Sequence, residues 1–149
     1  MGIEKEIHQN TFTNVKQKAI INLLFTYGWT IEKLKTFLAA EDITHQQFNI
    51  LRILRGAHPK PLSTLQIRER MIDKASDTSR IVDRLIIKDL VKKTTCPMDK
   101  RLVDVIITDK GRKLLQKLDA QSDAMNEVMN SLTNAEAEQL SDLLDKMRS

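Results

Sequence analysis

The sequence predicts a mainly helical α+β fold with a single β-hairpin, and three observations carry that expectation. Apolar residues recur at three- and four-residue spacing over most of the chain, the period of one helical face. Thr44, Ser63, Thr108 and Thr133 stand where helices would begin, and in three cases Glu or Gln follows three positions later, as a reciprocal cap requires. One stretch only, from Leu90 to Ile107, changes to the β-branched composition of paired strands about a turn.

Taken in order, Phe12, Val15, Ala19, Leu23, Tyr27, Ile31, Leu34 and Leu38 mark one face of a long helix, with Gly28 as a candidate kink. Thr44 with Gln47 caps the next helix, and Ile43 before the cap is spaced to staple onto Phe48. That helix should bury Phe48, Leu51 and Leu54 and stop near Gly56, because Pro59 and Pro61 cannot continue it. Ser63 with Gln66 opens a short helix to about Met71, stapled by Leu62 and Ile67.

A further helix begins near Ser76 or Asp77. Ile81, Val82, Leu85 and Ile86 lie to one side, leaving Thr78, Ser79, Arg80, Arg84 and Lys88 for the other. Strands Val91 to Thr95 and Leu102 to Ile107 flank a turn at Cys96-Pro97-Met98-Asp99-Lys100. Thr108 then caps a helix whose stripe of Leu114, Leu118, Met125 and Met129 runs to Leu132, and Thr133 with Glu136 opens the terminal helix carrying Leu140, Leu143, Leu144 and Met147.

At 149 residues the chain is the size of one domain with a proper core. Its lone cysteine, Cys96, allows no internal disulfide, the N-terminus has no signal-peptide run and no stretch reaches membrane-spanning length, so a cytoplasmic location is expected. Formal charge is +4, unevenly placed. Between Lys60 and Lys113 stand 14 Lys and Arg against 8 Asp and Glu, while the rest of the chain carries 10 against 12. The middle of the chain therefore has the electrostatic footprint of a surface that meets a polyanion.

Helix, turn, basic helix and basic hairpin in that order describe a winged helix-turn-helix with a two-stranded β wing, flanked by N- and C-terminal helices. A helix fits the major groove of DNA, where side chains at its N-terminal end reach base edges and cations meet phosphates. The expected DNA-contacting residues are Ser76, Thr78, Ser79, Arg80, Arg84 and Lys88 on the helix and Lys100 and Arg101 on the hairpin. Arg101, a planar cation on a narrow projection, suits the minor groove. Asp99 beside it would repel DNA unless it holds a cation in place, and orienting Arg101 is the role assigned to it.

The runs Thr44-His45-Gln46-Gln47-Phe48-Asn49-Ile50-Leu51-Arg52, Ser76-Asp77-Thr78-Ser79-Arg80-Ile81-Val82-Asp83-Arg84-Leu85, Asp99-Lys100-Arg101 and Ile107-Thr108-Asp109-Lys110-Gly111 resemble the MarR family of bacterial transcription regulators. The resemblance covers nearly the whole chain. It implies a homodimer with intertwined terminal helices, recognition through Thr78 to Leu85, and a wing arginine, matching Arg101, in the minor groove. Lys100 departs from the family, which usually has a second arginine there; lysine keeps the charge and loses the fork. Many relatives bind a small, often aromatic, ligand between the dimer helices and the DNA-binding lobe. Tyr27 and Trp29 are the candidate rings for such a pocket, core packing being the ordinary use of large aromatics on a long helix.

The expectation is one winged-helix domain over residues 1–149, with 44–108 the DNA-binding lobe and 1–42 and 109–149 the dimerising helices. The function expected is sequence-specific binding of double-stranded DNA at a pseudo-palindromic operator, most often repression, relieved by a small aromatic or phenolic effector or another signal. A winged-helix module that docks a protein instead of DNA is the alternative. Enzymatic activity and a cofactor are not expected, since neither a phosphate-cradling Gly-rich loop nor a nucleophile-base set is present. His8, His45, His58 and Cys96 lack metal-ligand spacing, and Cys96 stands far from the N-terminal position of the family's oxidant-sensing cysteines.

Overall fold

The computed structural model describes residues 2–95 and 103–149. It opens with one helical turn, α1 (Ile3–Glu6), that no periodicity announces. Ile3 is buried, and Glu4 pairs with Lys18, whose hydrogen bond draws the Glu4 carboxyl below its ordinary pKa. Helix α2 (Val15–Ala39) follows, capped by the Asn14 side chain, which accepts the Gln17 N–H at 2.9 Å. It runs as one helix through Gly28.

Asp42, at φ 52°, turns the chain into α3 (His45–Ala57). The expected reciprocal cap is formed: Thr44 Oγ1 accepts the Gln47 N–H at 3.1 Å and Gln47 Oε1 accepts the Thr44 N–H at 3.0 Å. Helix α3 is central to the core, burying Ile50, Leu51 and Leu54 in one cluster with Ile43, Leu62, Ile67, Val82 and Leu85. The staple residues Ile43 and Leu62 thus end up buried, and Phe48 packs at the cluster's edge.

Two residues, β1 (Leu62–Ser63), then pair antiparallel with a later strand before α4 (Thr64–Arg70) begins. Helix α5 (Thr78–Ile87) leads into β2 (Val91–Thr95) and β3 (Val103–Ile107), paired from Val91↔Ile107 to Thr95↔Val103. The sheet has three strands in the order β1-β3-β2, not the two expected. The reason is local. A helix N-cap needs extended backbone, as at Ser63, and extended residues beside the open edge of β3 pair with it.

The expected helix from Thr108 to Leu132 is also corrected. Helix α6 (Asp109–Asp119), capped by Thr108, stops at Ala120, and a separate turn, α7 (Ser122–Asn126), packs against α2 and passes through a 3₁₀ turn at Glu127–Met129 to α8 (Asn134–Arg148). Helix α6 buries Leu115 and Leu118, whereas Leu114 is only partly covered. The Thr133 cap on α8 forms as expected, with Glu136 reciprocating. Among the described residues no helix is long and apolar enough to cross a membrane.

Candidate nucleic-acid interface

Helices α4 and α5 are joined by a turn that several side chains fix. Asn49 of α3 accepts the Ile72 N–H at 2.9 Å, the Asp73 carboxylate accepts the Ala75 N–H at 3.0 Å, and Lys74 donates to the Glu69 carbonyl. Asp77 caps α5 by accepting the Arg80 N–H at 3.2 Å. Val82 and Leu85 anchor the helix in the core, so that Ser79, Arg80, Asp83, Arg84 and Ile87 are left on its outer face. Lys93 of β2 donates to Asp83 at 2.9 Å, joining the base of the hairpin to α5 and offsetting the one carboxylate on that face.

The residues expected at this surface therefore divide. Ser79, Arg80 and Arg84 are exposed on α5, and Arg84 lies at the lip of a cleft shared with the α2–α3 turn. Thr78 is corrected: it is only 4% exposed and belongs to the inner face, because it stands four residues before Val82 and seven before Leu85. Ser76 is half-buried, and the hydroxyls of Ser76 and Thr78 are both enclosed without a hydrogen-bond partner among the described residues.

Lys88, in the chain without DNA, is engaged elsewhere. It does not project from the helix end but turns back, donating to the Asp42 carbonyl and lying 3.8 Å from the Asp42 carboxylate. Asp42 holds a left-handed backbone conformation there, which aspartate tolerates better than most residues. Lys100, Arg101, Asp99 and Cys96 lie outside the described residues. Sequence reasoning passed over Lys93 and Asn49, and only the pairing register and the packing of α3 on α4 reveal them.

A second feature lies behind the helix-turn-helix. A cavity of about 840 Å³ opens between α2, α3, the α4–α5 turn and the α6–α7 bend. Tyr27, Phe37 and Phe48 supply aromatic wall, Arg52 and Arg55 supply charge, and the turn from Met71 to Ala75 closes one side. Tyr27, at 59% exposure, sits on its rim. Trp29 does not line it, and is 43% exposed beneath the Lys33 ammonium at 5.7 Å. Neither ring is buried in the single chain. Among the described residues no cluster of three His, Cys, Asp or Glu is placed to hold a metal ion.

The MarR family model matches residues 43–103, which span α3 to the start of β3. The chain is 32% identical to a MarR transcription factor from Planctomyces limnophilus, whose crystal structure superposes with a TM-score of 0.70 over 93% of this chain and 98% of that one. A cysteine-to-serine mutant of MarR from E. coli, solved in complex with operator DNA, has the same fold at 24% identity, with a TM-score of 0.80 over 93% of this chain and 99% of its own. An uncharacterized HTH-type transcriptional regulator of Bacillus subtilis, YpoP, is 25% identical over 108 residues, 72% of this chain and 75% of the relative.

Proposed function

The chain belongs to the MarR family of transcription regulators, and from that premise we propose that it is a homodimeric repressor that binds a pseudo-palindromic operator and is released by a small aromatic or phenolic ligand. The observation that carries the DNA reading is the outer face of α5, where Ser79, Arg80 and Arg84 are exposed on a helix anchored by Val82 and Leu85 and braced by Lys93. Hydroxyls and guanidinium groups on such a helix suit base edges and phosphates. A protein of the same fold, E. coli MarR, has been solved on its operator DNA. Lys100 and Arg101 complete the proposed contact set from the wing, with Asp99 orienting Arg101.

The dimer rests on unpartnered apolar surface. Val15, Ile20, Leu24 and Phe25 on α2 and Leu140, Leu143 and Met147 on α8 are all exposed in the single chain. Exposed apolar side chains grouped on one helix are what a partner subunit would cover, and both helices lie outside the winged lobe, where pairing would not obstruct α5. The cavity beneath α2 is the proposed effector site, with Tyr27 at its rim; because the turn leading into α5 forms one wall, an occupant would touch the element that positions the recognition helix.

Fragments of the source genome selected on the purified protein, then titrated over a range of salt, test this reading. A preferred palindromic sequence and a steep fall of affinity with salt are expected, since phosphate contacts release counterions. Equal and feeble binding of every fragment would leave the protein-docking alternative.

A further inference from the structure

Helix α5 carries the aliphatic residues Ile81, Val82, Leu85, Ile86 and Ile87, and all but the last are used inside the lobe. Val82 and Leu85 belong to the core, and Ile81 and Ile86 pack against it from the edge. Ile87 has no place in that cluster. At 84% exposure it is the most exposed large apolar side chain among the described residues.

A lone apolar side chain on a surface is ordinary, and it is the neighbours of Ile87 that single it out. Arg80 stands two turns before it and Arg84 one turn before it, so the three form a stripe down the outer face of the helix. Asp83 lies alongside and is engaged by Lys93, while Lys88 is turned away onto Asp42. Ile87 therefore stands in line with the arginines on the face read above as meeting DNA. It is remote in the chain from the apolar faces of α2 and α8 that a second subunit would cover.

The edges that base pairs present in the major groove are polar with one exception. N7, O6 and O4 accept hydrogen bonds, the amino groups of adenine and cytosine donate them, and the single apolar group is the C5 methyl of thymine. An isoleucine pressed against a polar edge takes that edge out of water and returns no hydrogen bond, which costs affinity. Against a thymine methyl, both partners gain by leaving water.

Resting on the DNA reading above, we propose that Ile87 is a specificity-determining residue that reads a thymine in each half-site through its C5 methyl group. At about 1.5 Å per residue, Ile87 lies roughly 10 Å along the helix from Arg80, the length of about three stacked base pairs. The thymine thus falls at the opposite end of the stretch covered by α5 from the pairs reached by Ser79 and Arg80. Two-fold symmetry repeats it in the other half-site.

Deoxyuridine differs from thymidine only by this methyl group, which makes it the probe. Each thymine of the selected operator is replaced in turn, together with its symmetry mate, and the affinity of the full-length protein is measured by fluorescence anisotropy. At one symmetric pair of positions the exchange should weaken wild type roughly 10-fold, since burial of one methyl is worth about 4-fold and two are lost. Ile87→Ala should bind the unmodified operator more weakly than wild type and be indifferent to deoxyuridine at that pair. Ile87→Val keeps a branched side chain and should keep the sensitivity. Because Ile87 buries little of itself in the lobe, both variants should melt with wild type, and their salt slopes should match it because no phosphate contact is lost.

If the deoxyuridine penalty is the same in wild type and Ile87→Ala, another residue reads the methyl and the proposal is wrong. It is equally wrong if no thymine of a tightly bound operator responds to the exchange, or if Ile87→Ala binds that operator as wild type does. Failure of wild type to select any preferred sequence would overturn the DNA reading itself and the proposal with it, and is told apart because it appears before any deoxyuridine is introduced.

Discussion

Gly111, in the first turn of α6, stands against the backbone of Leu90: a Cβ at this position would overlap the Leu90 carbonyl oxygen and come within 2.8 Å of Ile107 Cγ1. The same junction is closed by Thr108, whose N–H donates to the Leu90 carbonyl at 3.0 Å and whose hydroxyl donates to the Asp89 carbonyl at 2.7 Å. Here the wing strands meet the helix that leaves the lobe, and only a hydrogen fits between them. Gly111→Ala should gain about 1 kcal/mol of helix propensity and lose about 1–3 kcal/mol to overpacking against backbone that cannot rotate aside. The loss should win, because moving α6 also disturbs Leu115 and Leu118 in the core. A lowered melting temperature is the expected result, and an unchanged or raised one would mean that α6 shifts freely.

What the sequence made legible follows from the range of the interactions. The caps at Thr44, Ser63, Thr108 and Thr133 are contacts within four residues, and all four form where spacing placed them. Thr78 was legible and misassigned: the spacing of Thr78, Val82 and Leu85 is a buried helical stripe, and the preference for hydroxyls near a groove obscured it. The tie from Lys88 to Asp42 spans 46 residues and Arg55 to Asp119 spans 64, so no local pattern announces either. The family resemblance identified the fold, while the cavity and its arginines depend on how α2, α3 and α6 are packed.

The exposed faces of α2 and α8 lead to a prediction about assembly. Leu24→Glu on α2 and Leu143→Glu on α8 replace residues that are 65% and 57% exposed in the single chain, so a monomer should tolerate both. In a two-fold dimer each substitution occurs twice, and each buried carboxylate without a partner costs about 3–5 kcal/mol. Sedimentation should show wild type as a dimer at micromolar concentration and both variants shifted to monomer. A wild type that sediments as a monomer would refute the homodimer, and operator symmetry with it.

On the wing, Asp99 and Arg101 should behave as a unit. Removing a negative charge from a DNA-facing loop would by electrostatics alone tighten binding, so Asp99→Ala is informative through its sign. If Asp99 orients Arg101, the variant should bind operator more weakly, by about 1 kcal/mol, because an unheld arginine must be ordered on the DNA. In an Arg101→Ala background nothing remains to orient, and the same change should be neutral or slightly favourable. A double-mutant cycle on operator affinity should give a coupling of roughly 0.5 kcal/mol or more. Equal tightening in both backgrounds would reduce Asp99 to a turn residue.

Arg84 on α5 and Lys88, one turn on at its C-terminal cap, should separate a DNA contact from a structural one. Arg84 is exposed beside Arg80 with no ion-pair partner among the described residues, whereas Lys88 is spent on Asp42. Arg84→Ala should therefore weaken operator binding, by about 1–3 kcal/mol with relaxed preference at one base pair if it reads a base edge, or uniformly with a shallower salt slope if it grips a phosphate. Lys88→Ala should leave the salt slope unchanged, because no phosphate loses a counter-charge. Its effect should fall on the α2–α3 turn: amide exchange at Asp42 and Ile43 should quicken, since the left-handed residue loses the ammonium that holds its carbonyl. Asp42→Gly in the Lys88→Ala background supplies the control. Glycine accepts the positive φ without strain, so it should restore part of the stability lost with the lysine. A salt slope that falls by about one unit in Lys88→Ala would instead place this lysine on a phosphate, and the tie to Asp42 would not persist on DNA.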